Sequence, residues 1–311
     1  MKKISVVIPM YNEEEVLETS YLKVKKVLEE LEQYDYEIIG INDGSKDKTL
    51  ALLQKIANKN PKVKVLSFAR NFGHQAAVTA GLKYTTGDAI VIIDADLQDP
   101  PEELPKMIHL WEEGYEVIYG QRKSRKGESA FKLLTAKMFY KTLNALSDVE
   151  IPKDTGDFRL VDRKVVDVIN ELPEHNKFLR GLFSWVGFKQ KAFLYERQER
   201  YAGKTKYPFQ KMWKLASDGI ISFSTKPLKI VGGLGILTIV LSIGILIYSV
   251  LSYVFNLNNL TPGWTSIMVA ITLFSGVQLL SIWIISEYMA RIYDETRNRP
   301  QYIIDQKINI D

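Results

Sequence analysis

From Met1 to about Tyr119, short runs of β-branched and aliphatic residues alternate with stretches whose apolar positions recur every three to four residues. The short runs predict strands at Ile4–Pro9, Tyr36–Asn42, Val63–Ser67, Ala89–Ile93 and Glu116–Tyr119. The stretches between them predict helices at Glu14–Leu31, Lys48–Asn58, His74–Tyr84 and Glu102–Glu113. Alternation of this kind predicts an α/β fold, a mostly parallel sheet with helices on both faces. Ligands of such sheets bind outside the carboxyl ends of the strands, and the polar motifs of this chain follow strand ends.

The pattern changes completely after Lys229. No charged residue occurs until Glu287, and Val231–Val254 and Trp264–Ser286 are each long enough to cross the ~30 Å hydrocarbon core of a bilayer. A buried hairpin in a soluble protein is the alternative, but soluble helices of this length carry a polar face. Lys226 and Lys229 precede the first stretch and Arg291, Arg297 and Arg299 follow the second, so the positive-inside rule puts both ends and the N-terminal half in the cytoplasm. Two amphipathic stretches, Pro208–Phe223 and Ala130–Leu146, suit either the membrane interface or packing on the sheet. Pro208–Phe223 is assigned to the interface because it leads directly into the first span. The expected organisation is a catalytic domain at 1–207, a juxtamembrane segment at 208–228, two transmembrane helices within 229–290, and a cytoplasmic tail at 291–311.

Composition sharpens this picture. A chain of 311 residues has room for one large domain plus something smaller. With no cysteine, disulfides, thiolate nucleophiles and zinc–thiolate sites are excluded. A formal charge of +4 is too small to imply a nucleic-acid partner. The apolar run Ile4–Pro9 is too short for a signal peptide and runs straight into Asn12, Glu13, Glu14 and Glu15.

Asp94-Ala95-Asp96-Leu97-Gln98-Asp99 directly follows the fourth predicted strand. Two carboxylates one residue apart at a strand end suit a hard divalent cation, Mg²⁺ or Mn²⁺, held together with substrate phosphates. Acidic loop residues are usually just solvated, and the position at a strand end is what raises this pair above that. Asp43-Gly44-Ser45 reads either as a turn and helix cap or as a carboxylate facing a nucleotide. Tyr11, in Pro9-Met10-Tyr11-Asn12-Glu13, is placed to stack on a base. Basic residues gather after the fifth strand at Arg122, Lys123, Arg125 and Lys126, and again in Arg200–Tyr207, where Lys204 and Lys206 flank a flexible Gly203 segment. Either run is a solvated loop or, beside a membrane, a phosphate-binding one. No G-x-G-x-x-G follows the first strand and no G-x-x-x-x-G-K-[ST] occurs, which disfavours dinucleotide and P-loop enzymes. His74, His109 and His175 share no metal or triad spacing; His109 reads as a helix-surface residue and the other two stay unassigned.

Taken in order, Val7–Glu14, Asn42–Thr49, Arg70-Asn71-Phe72-Gly73, Asp94–Pro101, Thr155-Gly156-Asp157-Phe158-Arg159-Leu160 and the apolar hairpin ending in Glu287-Tyr288 resemble the family-2 glycosyltransferases of the GT-A, Rossmann-like fold. Within them the chain is most similar to bacterial polyisoprenyl-phosphate (bactoprenol) glucosyltransferases, with dolichol-phosphate mannose synthases more distant. The resemblance implies UDP-glucose as donor, a divalent metal, undecaprenyl phosphate as acceptor and a homotetramer. It assigns Pro9, Tyr11, Glu13 and Asp43 to the nucleotide, and Asp94, Asp96 and Gln98 to the metal and diphosphate. Arg122 and Lys137 would take the acceptor phosphate, Asp157 the reaction centre, and Arg200, Lys204 and Lys206 a loop over the donor.

The expected reaction is a single displacement at the anomeric carbon with inversion, through an oxocarbenium-like transition state. A lipid phosphate is largely dianionic at pH 7 and needs no general base, so Asp157 is read as an orienting or charge-stabilising group. GlcNAc, galactose, mannose or a modified pentose remain open as the transferred sugar. A processive polysaccharide synthase is a rival, but Gln198-Glu199-Arg200-Tyr201 lacks the spacing and Trp of a Q-x-x-R-W motif. A non-catalytic scaffold or flippase subunit is a third reading, and it has no use for Asp94, Asp96 and Asp157 together.

Overall fold

The computed structural model describes residues 1–123, 152, 155–175, 177–198, 224–255 and 263–310. Strands are β1 (Lys3–Met10), β2 (Asp35–Asn42), β3 (Val63–Phe68), β4 (Ala89–Ile92), β5 (Val117–Arg122), β6 (Thr155–Asp162), β7 (Gln190–Tyr195) and β8 (Ile304–Ile308). Helices are α1 (Leu17–Glu29), α2 (Thr49–Lys59), α3 (His74–Tyr84), α4 (Leu104–Glu112), α5 (Arg163–Glu171), α6 (Leu179–Trp185), α7 (Lys226–Val254) and α8 (Trp264–Arg297). The five predicted strands and four predicted helices of the first half are all present, with ends shifted by no more than three residues. Such shifts are expected where helix ends fray.

All eight strands form one sheet in the order β7-β5-β6-β4-β1-β2-β3-β8. β1 pairs in parallel with β2 and β4, β2 with β3, and β5 with β7. β6 runs antiparallel between β4 and β5, and β8 runs antiparallel along β3. The chain steps outward from β1 through β2 to β3, then returns to β4 on the other side of β1. That reversal opens a crevice at the carboxyl ends of β1 and β4, the switch point where ligands of such sheets bind.

Strand periodicity divides the core into two layers. Val6, Ile8, Ile38, Val91, Ile118 and Phe158 face α1, α2 and α4, where Leu17, Val24, Leu53, Met107 and Trp111 are buried. Val7, Ile39, Ile41, Ile92 and Val161 face α3, α5 and α6, where Val78, Leu82, Val166, Leu182 and Phe183 are buried. Gly81 lets α3 lie directly on the sheet, since a Cβ there would sit 2.3 Å from Val7 Cγ1.

Residues 291–311 were expected as a cytoplasmic tail. The end of that segment returns to the far edge of the sheet. Tyr302 stacks on Phe68 at 5.1 Å, the Ala69 amide donates to the Ile303 carbonyl, and Asn309 Nδ2 donates to the carbonyls of Ala57 and Val63. β8 thereby covers an edge that would otherwise present unpaired backbone groups.

The two apolar stretches are the helices α7 and α8, which pack against each other. Among the described residues one stretch, Leu273–Arg297 of α8, is long and apolar enough to cross a membrane, and none of it is buried. Ile236, Val240, Leu273 and Leu279 are each more than half exposed, an apolar surface far beyond what a soluble monomer presents. The amphipathic stretches Ala130–Leu146 and Pro208–Phe223 lie outside the described residues.

At the edge of the sheet away from the crevice, the buried Glu37 accepts from the Ser5 hydroxyl and the Thr86 amide, 2.7 Å from Lys64 Nζ and 3.3 Å from Lys3 Nζ. Desolvation raises its pKa, but Lys64, Ser5 and Thr86 outweigh that and hold it at about 2. Because the folded value lies below the unfolded one, the stabilisation is complete above the unfolded pKa and is lost as pH falls towards 2. Glu37→Gln is expected to remove on the order of 3 kcal/mol at neutral pH. Thermal unfolding in detergent will then show a smaller loss of stability between about pH 5 and pH 2 in the variant than in the wild type.

Candidate active site

Three loops meet on the β1–β2–β3 side of the crevice. The Asn12 amide donates to Ser45 Oγ, the Glu13 amide to Thr49 Oγ1, and the Lys46 amide to Asn12 Oδ1. Asp43, buried at the end of β2, receives the Phe72 amide at 2.7 Å on one oxygen. Its other oxygen receives the Gly73 amide at 3.0 Å and Asn71 Nδ2 at 2.9 Å. Desolvation raises the pKa of Asp43, against these amides. The carboxylate therefore ties the Asn71–Gly73 loop to the end of β2, a role the sequence did not disclose. Gly44 makes this possible: its φ is +63° and a Cβ would lie 2.3 Å from the Arg70 carbonyl carbon. Pro9 is a buried strand residue opposite Ile41, whereas Tyr11 and Glu13 are half-buried in the loop beyond it.

Asp94 and Asp96 follow β4 on the other side of the crevice. Leu97 adopts a φ of 58°, turning the chain so that the Gln98 amide donates to Asp96 Oδ1 at 3.1 Å. Both carboxylates and Gln98 are half-buried. Asp99 is fully buried and accepts a short hydrogen bond from the Tyr195 hydroxyl at the end of β7. The Gln198 amide donates to the Gln98 carbonyl at 3.0 Å, so the segment after β7 is fastened to this loop at a second point. Desolvation pushes Asp94 up to about 6, with Asp99, Asp157 and Asp96 acting in the same direction and His74 against it. Among the described residues no three His, Asp or Glu side chains form a metal cage. The two carboxylates are hard oxygen donors that fit a Mg²⁺ or Mn²⁺ ion taking its remaining oxygens from a diphosphate and water.

β6 brings in the third carboxylate. Because this strand is antiparallel, its N-terminal end lies at the same edge as the carboxyl ends of β4 and β5, and Asp157 faces the crevice beside Asp94. Arg180 Nε and Nη2 donate to the two oxygens of Asp157 at 2.8 and 2.9 Å. His74 Nε2 lies 3.1 Å from Asp157 Oδ2 and 3.9 Å from Asp94 Oδ1. Desolvation raises the pKa of Asp157, but Arg180 and His74 overwhelm it and hold the carboxyl well below the usual range. Desolvation lowers the pKa of His74, yet the two aspartates bring it to about 9, so the imidazole is cationic at neutral pH. Arg122, at the end of β5, puts Nη2 3.2 Å from where a Cβ of Gly156 would stand, and its Nε is buried without a hydrogen-bond partner among the described residues.

The family-2 glycosyl transferase model matches residues 5–169, which include Asp43, Asp94, Asp96 and Asp157. The chain belongs to glycosyl transferase family 2. The glycosyltransferase YkcC of Bacillus subtilis (strain 168) is 50% identical over 99% of this chain and 94% of its own length. The glycosyltransferase sll0501 of Synechocystis sp. (strain ATCC 27184 / PCC 6803 / Kazusa) is 46% identical over 97% of this chain and 94% of its own. The bactoprenol glucosyl transferase of Shigella phage SfX is 42% identical over 98% of this chain and 99% of its own.

Of the residues assigned to this glycosyltransferase's site from sequence, Asp94, Asp96, Asp157 and Arg122 converge from β4, β6 and β5. Pro9, Tyr11, Glu13 and Asp43 lie across the switch point on β1 and β2. Lys137, Arg200, Lys204 and Lys206 fall outside the described residues. His74, Arg180, Asp99 and Tyr195 were missed. His74 immediately follows the Arg70–Gly73 motif, a signal that was available; Arg180 and Tyr195 carry no local signature. His109 is exposed on α4 beside Glu112 and Glu113, as expected of a surface residue.

The Gly44 geometry makes this side of the site sensitive to one methyl group. In Gly44→Ala the new Cβ must displace the Arg70–Asn71 backbone, and the protein is expected to lose on the order of 1–3 kcal/mol of stability. Thermal unfolding will measure the change, with Ser45→Ala as a milder neighbouring control.

Proposed function

We propose that the protein transfers a hexose, glucose from UDP-glucose, to undecaprenyl phosphate with inversion at the anomeric carbon, producing a lipid-linked phosphosugar. The observation that carries this reading is the convergence of Asp94, Asp96 and Asp157 at the switch-point crevice of a chain that also carries α7 and α8. The near-full-length likeness to a bactoprenol glucosyl transferase supports the same acceptor. A soluble acceptor would give the protein no use for an exposed apolar helix pair.

The β1 and β2 loops hold the nucleotide in this reading, with Tyr11 against the base and the Asp43 loop forming its floor. Asp94 and Asp96, with Gln98 beside them, hold the divalent metal, which supplies charge neutralisation on the departing diphosphate. Arg122, whose Nε has no hydrogen-bond partner among the described residues, faces the acceptor phosphate, joined by Lys137. Arg200, Lys204 and Lys206 close over the donor. Asp157 stays ionised, with both oxygens held by cations, and stabilises positive charge developing on the sugar ring. The acceptor phosphate attacks as a dianion and transfers no proton to Asp157.

Both apolar helices cross the cell membrane in this reading, with the catalytic domain and both termini in the cytoplasm. Such anchoring keeps the crevice at headgroup height, and confinement to one surface raises the effective concentration of the lipid acceptor.

Purified protein in detergent, given undecaprenyl phosphate and a panel of UDP- and GDP-sugars, is expected to yield one metal-dependent lipid-linked product by mass spectrometry. A product from GDP-mannose or UDP-GlcNAc alone would reassign the sugar, and no product from any donor would overturn the reaction. Asp96→Ala is expected to lower kcat about 10³-fold or more through lost metal binding. Asp157→Asn is expected to lose about 10²-fold in rate with an unchanged pH profile. A log-linear recovery of that variant with rising pH would show that wild-type Asp157 acts as a base.

A further inference from the structure

Asp157 is held more completely than a group that merely lines a crevice. Its carboxylate receives two parallel hydrogen bonds from Arg180 at 2.8 and 2.9 Å, the bidentate geometry that fixes angle as well as distance. Its backbone is held from the same face of β6. Arg159, two residues on, donates Nη2 to the Gly156 carbonyl at 3.0 Å and reaches the Asp157 carbonyl with Nε at 3.4 Å. Arg159 is itself immobilised, buried at 4% exposure with its guanidinium 4.5 Å from the Phe183 ring centre.

The support for Arg180 is also built in. Leu179, the residue before it, donates its amide to Gln75 Oε1 at 3.1 Å, and Gln75 follows His74 in α3. The start of α6 is thus tied to the start of α3 by adjacent residues. Arg180 and His74 then approach Asp157 from two different helices. Two of the five N–H donors of Arg180 are engaged on the two carboxylate oxygens, one on each.

We propose that Arg180 is a positioning residue that, with Arg159 and His74, holds the Asp157 carboxylate at a fixed place and angle in the reaction crevice. Arg180 lies beyond residues 5–169, the stretch matched by the family model, so the catalytic centre extends into α6. The inference rests on the reading of Asp157 as a group at the reaction centre. A charge that must face the sugar ring only in the transition state is useful in proportion to how little it moves.

The test compares Arg180→Gln, Arg180→Lys, Asp157→Asn and the double variant Arg180→Gln/Asp157→Asn in the purified full-length protein. Arg180→Gln is expected to lower kcat about 10²-fold with both KM values within about twofold of wild type. Arg180→Lys should recover part of that loss, since it restores charge without the paired geometry. The double variant should be no slower than Asp157→Asn alone, because residues that act as a unit are not additive. Melting temperatures supply a readout independent of the reaction: Arg180→Gln and Asp157→Asn each strand a charge and lower the midpoint, and the double variant recovers part of it. A rise in either KM at unchanged kcat would make Arg180 a substrate ligand and overturn the proposal. Additive rate losses, or additive shifts in melting temperature, would do the same. Absence of product from the wild-type protein would defeat the assigned reaction, while the melting-temperature cycle would still decide whether the clamp exists.

Discussion

The site is governed by the need to neutralise negative charge at the carboxyl edge of the sheet. Asp94, Asp96, Asp99 and Asp157 converge there, and like charges in a partly desolvated crevice raise one another's pKa values and oppose folding. Each is answered differently. Asp157 has Arg180 and His74, Asp99 has the Tyr195 hydroxyl and the nearby Arg122, and Asp96 has the Gln98 amide. Among the described residues, Asp94 has the more distant His74 and stays raised to about 6. The imbalance sits where the proposed function puts a divalent cation.

The order of the strands follows the same logic. A fully parallel sheet would carry the N-terminal end of β6, and Asp157 with it, to the opposite edge from Asp94. Antiparallel insertion between β4 and β5 places Asp157, Asp94 and Arg122 along one edge, with Arg159 opposite Ile92 and Tyr119 in register. The alternation of β6 then separates two tasks. Asp157 and Arg159 point to the α3 and α6 side, while Phe158 and Leu160 fill the layer facing α1 and α4. One eight-residue strand thus builds core on one face and a charge cluster on the other.

The apolar helices and the catalytic domain are connected at more than one point. Tyr288 of α8 donates to the Ser224 carbonyl just before α7. Glu295, near the end of α8, accepts from the His175 amide with both oxygens, and Gln301 Nε2 donates to the Glu174 carbonyl. These contacts reach the segment that leads into α6 and Arg180. β8 then joins the sheet beside β3, whose following loop is held by Asp43. The chain leaving the apolar pair is therefore fastened both to the segment before α6 and to β3.

The first half of the fold was legible because hydrophobic periodicity is a local property. Strands β1 to β5, helices α1 to α4 and the placing of Asp43, Asp94 and Asp96 at strand ends all followed from runs of neighbouring residues. The apolar stretches of α7 and α8 were equally plain, since length and lack of charge need no knowledge of the rest. Sequence also supplied Asp157 and Arg122, through likeness to a family, but not the reason they meet. That depended on the direction of β6, which no periodicity encodes. β7 and β8 stayed hidden because edge strands such as Ile304–Ile308 carry polar residues and resemble tails. Arg180 looked like one more cation among the 41 lysines and arginines of the chain, and only folding α6 against α3 and β6 gave it a carboxylate. Sequence by itself determined the strands and helices of the first half, the two apolar helices, and which carboxylates follow β2 and β4. Tertiary structure decided which charges face one another, because that depends on pairing between residues far apart in the chain.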